Sequence, residues 1–526
     1  MFSLAFLVGI YAKGLYILGL FQLYSLTSIS VYTVLFVLLS IIGWRYFDEE
    51  INIRRLNSEL LELWSKYKLL SLFILTSVAI VFLGILVPEI AFDSLWYHLT
   101  LPKLYLENGG ISFIPGSLFY YSALPKLGEL LYLLPVGLHL EQLAKAIHAL
   151  FGVGICIVLY KLAKEQTNKY FALLSVVIFL SNIVVLWQAT TSYVDLMRAF
   201  FETLALYGLL LFEKTQKKKW LIESAICMGL AIETKLISLS TLIVYSLFAI
   251  LSTNIRREKI GSGALYIFLA LLVPLPWFVF SYIHTGNPIY PIFTGFNPPF
   301  EFHLLTLIKD AILIFIFSSD PVSPVYLAFL PLVPFVWRRF SGIQRKIFLI
   351  AVGSFLAWIL TPRTGGGRFI LSYLPLFSLC VVITLYYSRL YIQKLFVIFI
   401  FILAATTLLY RGVAQFDSFK VALGIQSKTE YLVLHLNYNF GDFYDTDNYF
   451  KNTLGENDRV LLVGFHNLYY ADFKFIHQSY LKSEDTFNYI ATQNAELPEK
   501  YSHWTKIYVN RTTNVTLYKD PKTKRI

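Results

Sequence analysis

Charge is scarce in this sequence. Asp, Glu, Lys and Arg make up only 15% of its 526 residues, against about a quarter in a soluble protein, and that shortfall excludes an ordinary soluble domain. Cysteine is scarcer still. Cys156, Cys227 and Cys380 all lie inside apolar segments, where they read as small packing residues, so no disulfide framework is expected. The opening stretch, "MFSLAFLVGIYAKGLYILGLF", has no basic leader and no small-residue cleavage site, and is read as a retained first span rather than a signal peptide. There is no internal repeat, and no low-complexity tract beyond the lysine run at 217–219. The net charge of +11 does not point to nucleic acid, because the cations cluster in short loops between apolar runs.

Hydrophobic sequence is what the chain has in abundance: 57% of residues, with a mean hydropathy of +0.61. Apolar runs fall near residues 2–21, 27–44, 69–88, 141–160, 170–188, 194–212, 220–234, 236–252, 262–282, 324–337, 347–361, 368–387 and 393–410. Several reach the ~20 residues that cross ~30 Å of hydrocarbon, which makes roughly thirteen spans. Alternate loops are basic, among them "EKTQKKK" (213–219) and "WRRFSGIQRK" (337–346), whereas 189–193, 283–323 and 362–367 carry only Lys309 and Arg363. The basic set is therefore cytoplasmic. The fold class expected is an all-α polytopic membrane protein of the cell membrane, with about thirteen transmembrane helices and its N-terminus in the cytoplasm. After the last span comes a small extracytoplasmic α/β domain.

The divisions expected are 1–68 for two N-terminal spans and a cytoplasmic loop, 69–411 for the main transmembrane module, and 412–526 for the outer domain. In the tail, "RVLLVG" (459–464) reads as a strand, "KIYVNRTTNVTLYK" (506–519) as a hairpin, and "HNLYYADFKFIHQSY" between them as a short helix. The first outer loop, 89–140, is apolar and aromatic but broken by Gly and Pro. It either lies along the interface with Phe119, Tyr120 and Tyr121 at headgroup level, or packs over the bundle.

Four polar sites map to the outer face. "FDSLWYH" brings Asp93, Tyr97 and His98, and positions 93 and 97 share a helix face. "TTSYVDLMR" places Tyr193 and Asp195 at the outer start of the sixth run. "AIETKLISL" puts Glu233 and Lys235 in a tight outer turn, and "PRTGGGRFILSYLP" supplies Arg363, three glycines and Arg368. Singly, each has a structural explanation: Asp93 or Asp195 as a helix cap, Lys235 or Arg368 snorkelling to headgroups. Together, two carboxylates and two cations at one surface suit a reaction on a lipid-anchored anion. The cations would stabilise a phosphate leaving group, and a carboxylate would take a proton from an acceptor hydroxyl.

The ordered set "FDSLWYHLTLPKLYLENGGI", "SYVDL", "GLAIETK", "TGNPIYPIF" (285–293) and "RFILSYLPLF" (368–377) resembles the GT-C class of integral membrane glycosyltransferases. The likeness is closest to the bacterial protein O-mannosyltransferase and aminoarabinose-transferase branch. It implies transfer of a sugar from a polyprenyl-phosphate carrier to a protein, lipid or glycan acceptor on the non-cytoplasmic side, with membrane lipids as partners and no nucleic acid. Carried over, Asp93 would be the catalytic base and Asp195 the second acid, orienting the acceptor or a partner residue. Lys235, Arg368 and His98 would contact the carrier phosphate, and Tyr97, Tyr193 and Arg363 would line the site. Metal-binding members often show paired acids in the first loop. Here Asp93 is followed by Ser94 and Leu95, which disfavours a tightly bound divalent ion.

A transporter or flippase of lipid-linked saccharides is the rival from another class, and would place charge near the midplane. The apolar runs carry little; Arg198 and Glu202 are the main exceptions, and their spacing of four lets them pair with each other. A glycan polymerase or ligase has similar chemistry and is not separated by sequence from a monosaccharide transferase.

Overall fold

A computed structural model describes residues 1–44, 53–295, 304–317, 320, 322–361 and 366–521. It is mostly helical, with a small sheet near the C-terminus. Among the described residues, six helices are long and apolar enough to cross a membrane: Phe2–Leu20, Leu26–Gly43, Lys68–Leu86, Glu141–Gln166, Gly342–Leu360 and Leu390–Ala414. The pair Lys259–Leu272 and Leu275–Thr285, bent by 62°, makes a seventh if it is one span.

The expected count of thirteen is not confirmed, and the reasons are local. The run at 324–337 carries Pro324, Pro331 and Pro334 and divides into single turns, Val325–Ala328, Leu330–Leu332 and Val333–Val336, since proline removes a donor and clashes with the preceding turn. The run at 170–188 breaks at Asn182, whose amide donates to the carbonyls of Ile178 and Phe179. That caps Lys169–Leu180 before Ile183–Gln188 begins.

Asp195–Thr215 lies at the centre, packed against Lys218–Thr234 and Glu141–Gln166, and nearly all of its residues are buried. Its Arg198 and Glu202 pair at 2.9 Å, as the i,i+4 spacing predicts. The Ser238 and Thr241 hydroxyls donate to the same Glu202 oxygen, and the Tyr373 hydroxyl accepts from Arg198. The buried pair is thus hydrogen-bonded on several sides, which is what a charge pair in a low-dielectric interior requires. The first N-terminal helix is fastened to this bundle by Lys13, whose ammonium donates to Glu233 at 2.7 Å and to the Val273 carbonyl at 2.6 Å.

The first outer loop packs over the bundle rather than lying bare at the interface. Tyr105, Phe119 and Tyr132 are fully buried, and the Phe119 ring stands 6.2 Å from Tyr480 of the C-terminal region. Phe119 is therefore packed inside the protein and is not an exposed interfacial aromatic.

The C-terminal sheet has strands β1 (Val460–Val463), β2 (Phe475–His477), β3 (Tyr489–Gln493), β4 (Thr505–Asn510) and β5 (Val515–Lys519), in the order β2-β1-β3-β5-β4. β1 runs parallel to β2 and β3, while β5 is antiparallel to β3 and β4. The strand at 459–464 and the hairpin at 506–519 are as expected. The short helix expected in "HNLYYADFKFIHQSY" is not formed. Within it Phe475–His477 form β2, a β-favouring run that takes its hydrogen bonds from β1, and only Gln478–Tyr480 make a helical turn.

Candidate active site

The Pro88 to His98 segment turns back over the bundle as soon as Lys68–Leu86 ends. A wide helical turn, Ser94–His98, carries Tyr97 and His98, with Asp93 immediately before it. The second outer loop, 189–194, leads into Asp195–Thr215, so Asp195 stands at a helix N-terminus, where the helix dipole favours a negative charge. Lys235 ends Lys218–Thr234 in extended conformation, and Arg368 sits in the turn Gly367–Phe369.

The fold brings these four charges into two ion pairs. Arg368 meets Asp93 Oδ2 at 2.7 Å, and Lys235 meets Asp195 Oδ1 at 2.7 Å. The two pairs are neighbours, since both cations stand over the Phe369 ring, Arg368 at 5.0 Å and Lys235 at 5.3 Å from its centroid. Arg368 also lies 5.2 Å from the Tyr193 ring. The cations keep 18% and 20% of their side-chain exposure, while Asp195 keeps 3%, so an arriving anion meets the cations first.

Asp93 is held from three directions. The Tyr97 hydroxyl donates to its Oδ2 at 3.3 Å, and its own backbone N–H donates to the Tyr193 hydroxyl at 3.1 Å. Both side-chain contacts use Oδ2, and among the described residues no hydrogen bond reaches Oδ1. Asp195 Oδ2 is likewise buried without a hydrogen-bond partner among the described residues. Each carboxylate thus has one oxygen without a hydrogen-bond partner among the described residues. The Tyr97 phenol is pushed well above its usual range by burial, with Asp93 adding to it, and stays a donor. Burial likewise raises the Tyr193 phenol. Burial lowers the Lys235 ammonium, and Asp195 opposes that shift.

His98 is buried, with Nδ1 2.8 Å from Glu129 Oε1 and Nε2 unpartnered among the described residues. Lys126 completes this inner cluster. Burial brings its ammonium down to about 8, with Glu129 acting in the opposite sense. Neither Glu129 nor Lys126 was singled out in the sequence, although a charge on the otherwise apolar 119–138 stretch was a signal. Arg363 lies outside the described residues.

The glycine run has a steric reason at its visible end. A Cβ on Gly367 would stand 1.9 Å from the Asp320 carbonyl oxygen, and Gly366 has φ 81°, a left-handed conformation that glycine adopts without penalty. Glu233 does not join the four charges, being paired with Lys13. Among the described residues, no three His, Cys, Asp or Glu side chains gather as a metal site.

The helical bundle thus carries two acids, each paired with a cation, beside a small sheet domain. Residues 137–287 match the family model described as dolichyl-phosphate-mannose-protein mannosyltransferase; the matched segment contains Tyr193, Asp195 and Lys235. The fold is similar to that of ArnT from Cupriavidus metallidurans bound to undecaprenyl phosphate. That likeness has a TM-score of 0.56 at 14% identity and covers 86% of this chain and 98% of that one. The apo state of the same ArnT gives 0.56 at 12% identity over the same shares. An apo oligosaccharyltransferase from Archaeoglobus fulgidus gives 0.46 at 14% identity, over 82% of this chain and 70% of that one. No curated protein matches the sequence. The GT-C resemblance drawn from the motif order is borne out, and the ArnT-like branch is supported.

Proposed function

We propose that this protein is a glycosyltransferase that moves a sugar from a polyprenyl-phosphate donor to an acceptor hydroxyl on the non-cytoplasmic face of the membrane. The observation that carries the reading is the joining of Asp93 with Arg368 and of Asp195 with Lys235, four residues from four distant segments, at 2.7 Å in each case. The mannosyltransferase family match over 137–287 and the ArnT fold point the same way.

In this reading the donor phosphate docks on the exposed edges of Arg368 and Lys235, with His98 Nε2 as a further hydrogen-bonding group. The acceptor oxygen attacks the anomeric carbon as the bond from that carbon to the phosphate oxygen breaks. Polyprenyl phosphate leaves with the electron pair, and Asp93 Oδ1 takes the acceptor proton. Asp195, through its unpaired Oδ2, orients the acceptor while its other oxygen steadies Lys235. Tyr97 and Tyr193 line the site and fix Asp93. Arg368 and Lys235 act where charge develops on the leaving group, the position at which fixed cations accelerate a reaction. Inversion at the anomeric carbon is expected from the GT-C resemblance.

The test is turnover of a panel of polyprenyl-phosphate sugars by purified protein, wild type against Asp93→Asn. The substitution keeps the shape and removes the base, and a rate loss on the order of 10²- to 10⁴-fold is expected with lipid binding retained. Equal turnover by both proteins would reduce Asp93 to a structural residue.

A further inference from the structure

Glu89 takes no part in the transfer chemistry above, yet it is among the most buried acids in the protein, at 1% exposure. Its Oε1 accepts from the backbone N–H groups of Ile90 and Ala91, each at 2.9 Å. Its Oε2 crosses to the second outer loop and accepts from the Ser192 N–H at 2.6 Å. The return link is the Asp93 N–H donating to the Tyr193 hydroxyl. Residues 89–93 and 192–193 are thereby closed into a ring by two crossing hydrogen bonds, one at each end. Asp93 stands on one side of the ring, and Asp195 begins its helix two residues beyond the other. A carboxylate suits this place because both of its oxygens only accept, and all three of its partners are N–H donors.

The outer domain grips the same ring. The Tyr470 hydroxyl donates to the Glu89 carbonyl at 2.7 Å. On the other flank of Asp93, Lys103 donates to the carbonyls of Tyr469 and Ala471 and to the Asp472 carboxylate, at 2.9, 2.7 and 2.8 Å. Between them the His466 ring lies 4.8 Å from Phe92 and 4.5 Å from Trp96. One short stretch of the outer domain, 466–472, therefore touches the chain before, beside and after Asp93.

We propose that Glu89 is a positioning residue that sets the distance between the two acid-bearing loops, and that the outer domain holds it in place through Tyr470. The proposal rests on the transferase reading. Glu89 touches no reacting atom; it acts through Asp93 and Tyr193. Removing its charge leaves the phosphate-binding cations in place but lets the two acids drift apart, so the chemical step suffers and donor binding does not.

The experiment compares full-length wild type, Glu89→Gln, Glu89→Asp and Tyr470→Phe in lipid nanodiscs. The readouts are amide hydrogen exchange and turnover of an undecaprenyl-phosphate-linked hexose, with binding of undecaprenyl phosphate alone as the control. In Glu89→Gln, exchange is expected to rise in both 90–95 and 192–196. Its kcat should fall by about tenfold to a hundredfold, the loss that follows from misplacing reacting groups by an ångström, while donor KM stays within about twofold. Tyr470→Phe should move the same quantities in the same direction by a smaller factor. The double variant should be no worse than Glu89→Gln alone, because both act through one link. Unchanged exchange in both loops, or kcat and KM moving together, would overturn the proposal. If Glu89→Gln does not fold, Glu89→Asp and Tyr470→Phe decide it by the same criteria. If wild type turns over no donor, the transferase reading fails, and the exchange arm alone decides whether Glu89 braces the two loops.

Discussion

Asp93 spends only one of its oxygens on the resting structure. Arg368 and Tyr97 both meet Oδ2, so the ion pair orients the carboxylate without closing its basic edge. Arg368 is a planar fork with donors to spare, set to meet Asp93 and a phosphate in one plane, a two-pronged geometry that the point charge of a lysine ammonium does not offer. Arg368→Lys is therefore expected to raise donor KM by on the order of tenfold, the worth of one charge-assisted hydrogen bond of about 1.5 kcal/mol, with undecaprenyl phosphate binding as the check. Tyr97→Phe removes a long contact of 3.3 Å to the Asp93 carboxylate and should slow turnover by less than about tenfold, because at that length the bond falls short of the ~1.5 kcal/mol of a well-formed charge-assisted one. The residue types were legible in the sequence, because acids and cations stand out against so apolar a chain. Their pairing was not: Asp93 and Arg368 are far apart in the chain, and nothing local links them. Glu89 carries no local signal of its role for the same reason, since its decisive partner, the Ser192 N–H, lies on another loop.

Among the elements, the helix Phe2–Leu20 shows how a lone charge in an apolar run announces a partner without naming it. Lys13 pairs with Glu233, which is fully buried, while Lys13 keeps 28% exposure. Lys13→Met leaves that carboxylate buried without its cation and is expected to cost about 3 kcal/mol, read as a lower melting temperature. Adding Glu233→Gln should recover much of the loss, and a double variant less stable than Lys13→Met would remove the pair from the explanation. The outer sheet offers a pH test. His477 on β2 donates from Nε2 to the Phe465 carbonyl and accepts at Nδ1 from the Ser479 N–H, a pattern that only the neutral ring satisfies. Burial, with His466 nearby, lowers its pKa to about 4 from 6.5. The unfolded chain then binds the proton first, so the stability held above pH 6.5 is lost as pH falls through that value towards 4. The loss is on the order of 3 kcal/mol for this one group. Denaturant unfolding of the full-length protein, followed by a probe in the outer domain, should show it, and His477→Gln should flatten the dependence. The hairpin β4–β5 was legible from its alternation and polar turn. β2 was not, because three residues carry no periodicity that tells a strand from a helix.

At the scale of the whole molecule, hydropathy alone does not fix the number of spans. The thirteen apolar runs are not confirmed as thirteen spans, since a window of apolar residues cannot see that Pro324, Pro331 and Pro334 break the run into single turns, or that Lys259–Leu272 and Leu275–Thr285 bend by 62°. The alternation of basic and cation-poor loops is less sensitive to such breaks, because it depends on which side each end emerges and not on how straight the path is between them. The site geometry adds an independent constraint. The 466–472 stretch touches the Asp93 loop, so the outer domain and the four charges must share one side of the membrane, and "EKTQKKK" should lie on the other. Two proteins, each with one added cysteine, test this in intact cells. Glu484→Cys, on an exposed turn of the outer domain, is expected to react with a membrane-impermeant maleimide. Lys218→Cys, in the basic run, is expected to react only after the membrane is opened. Cys227 and Cys380 are buried and Cys156 is half-buried, so the native background should be low. Labelling of Lys218→Cys from outside, with Glu484→Cys protected, would invert the topology and put the ion pairs on the cytoplasmic face. A transferase fed by a carrier presented outside could not work there.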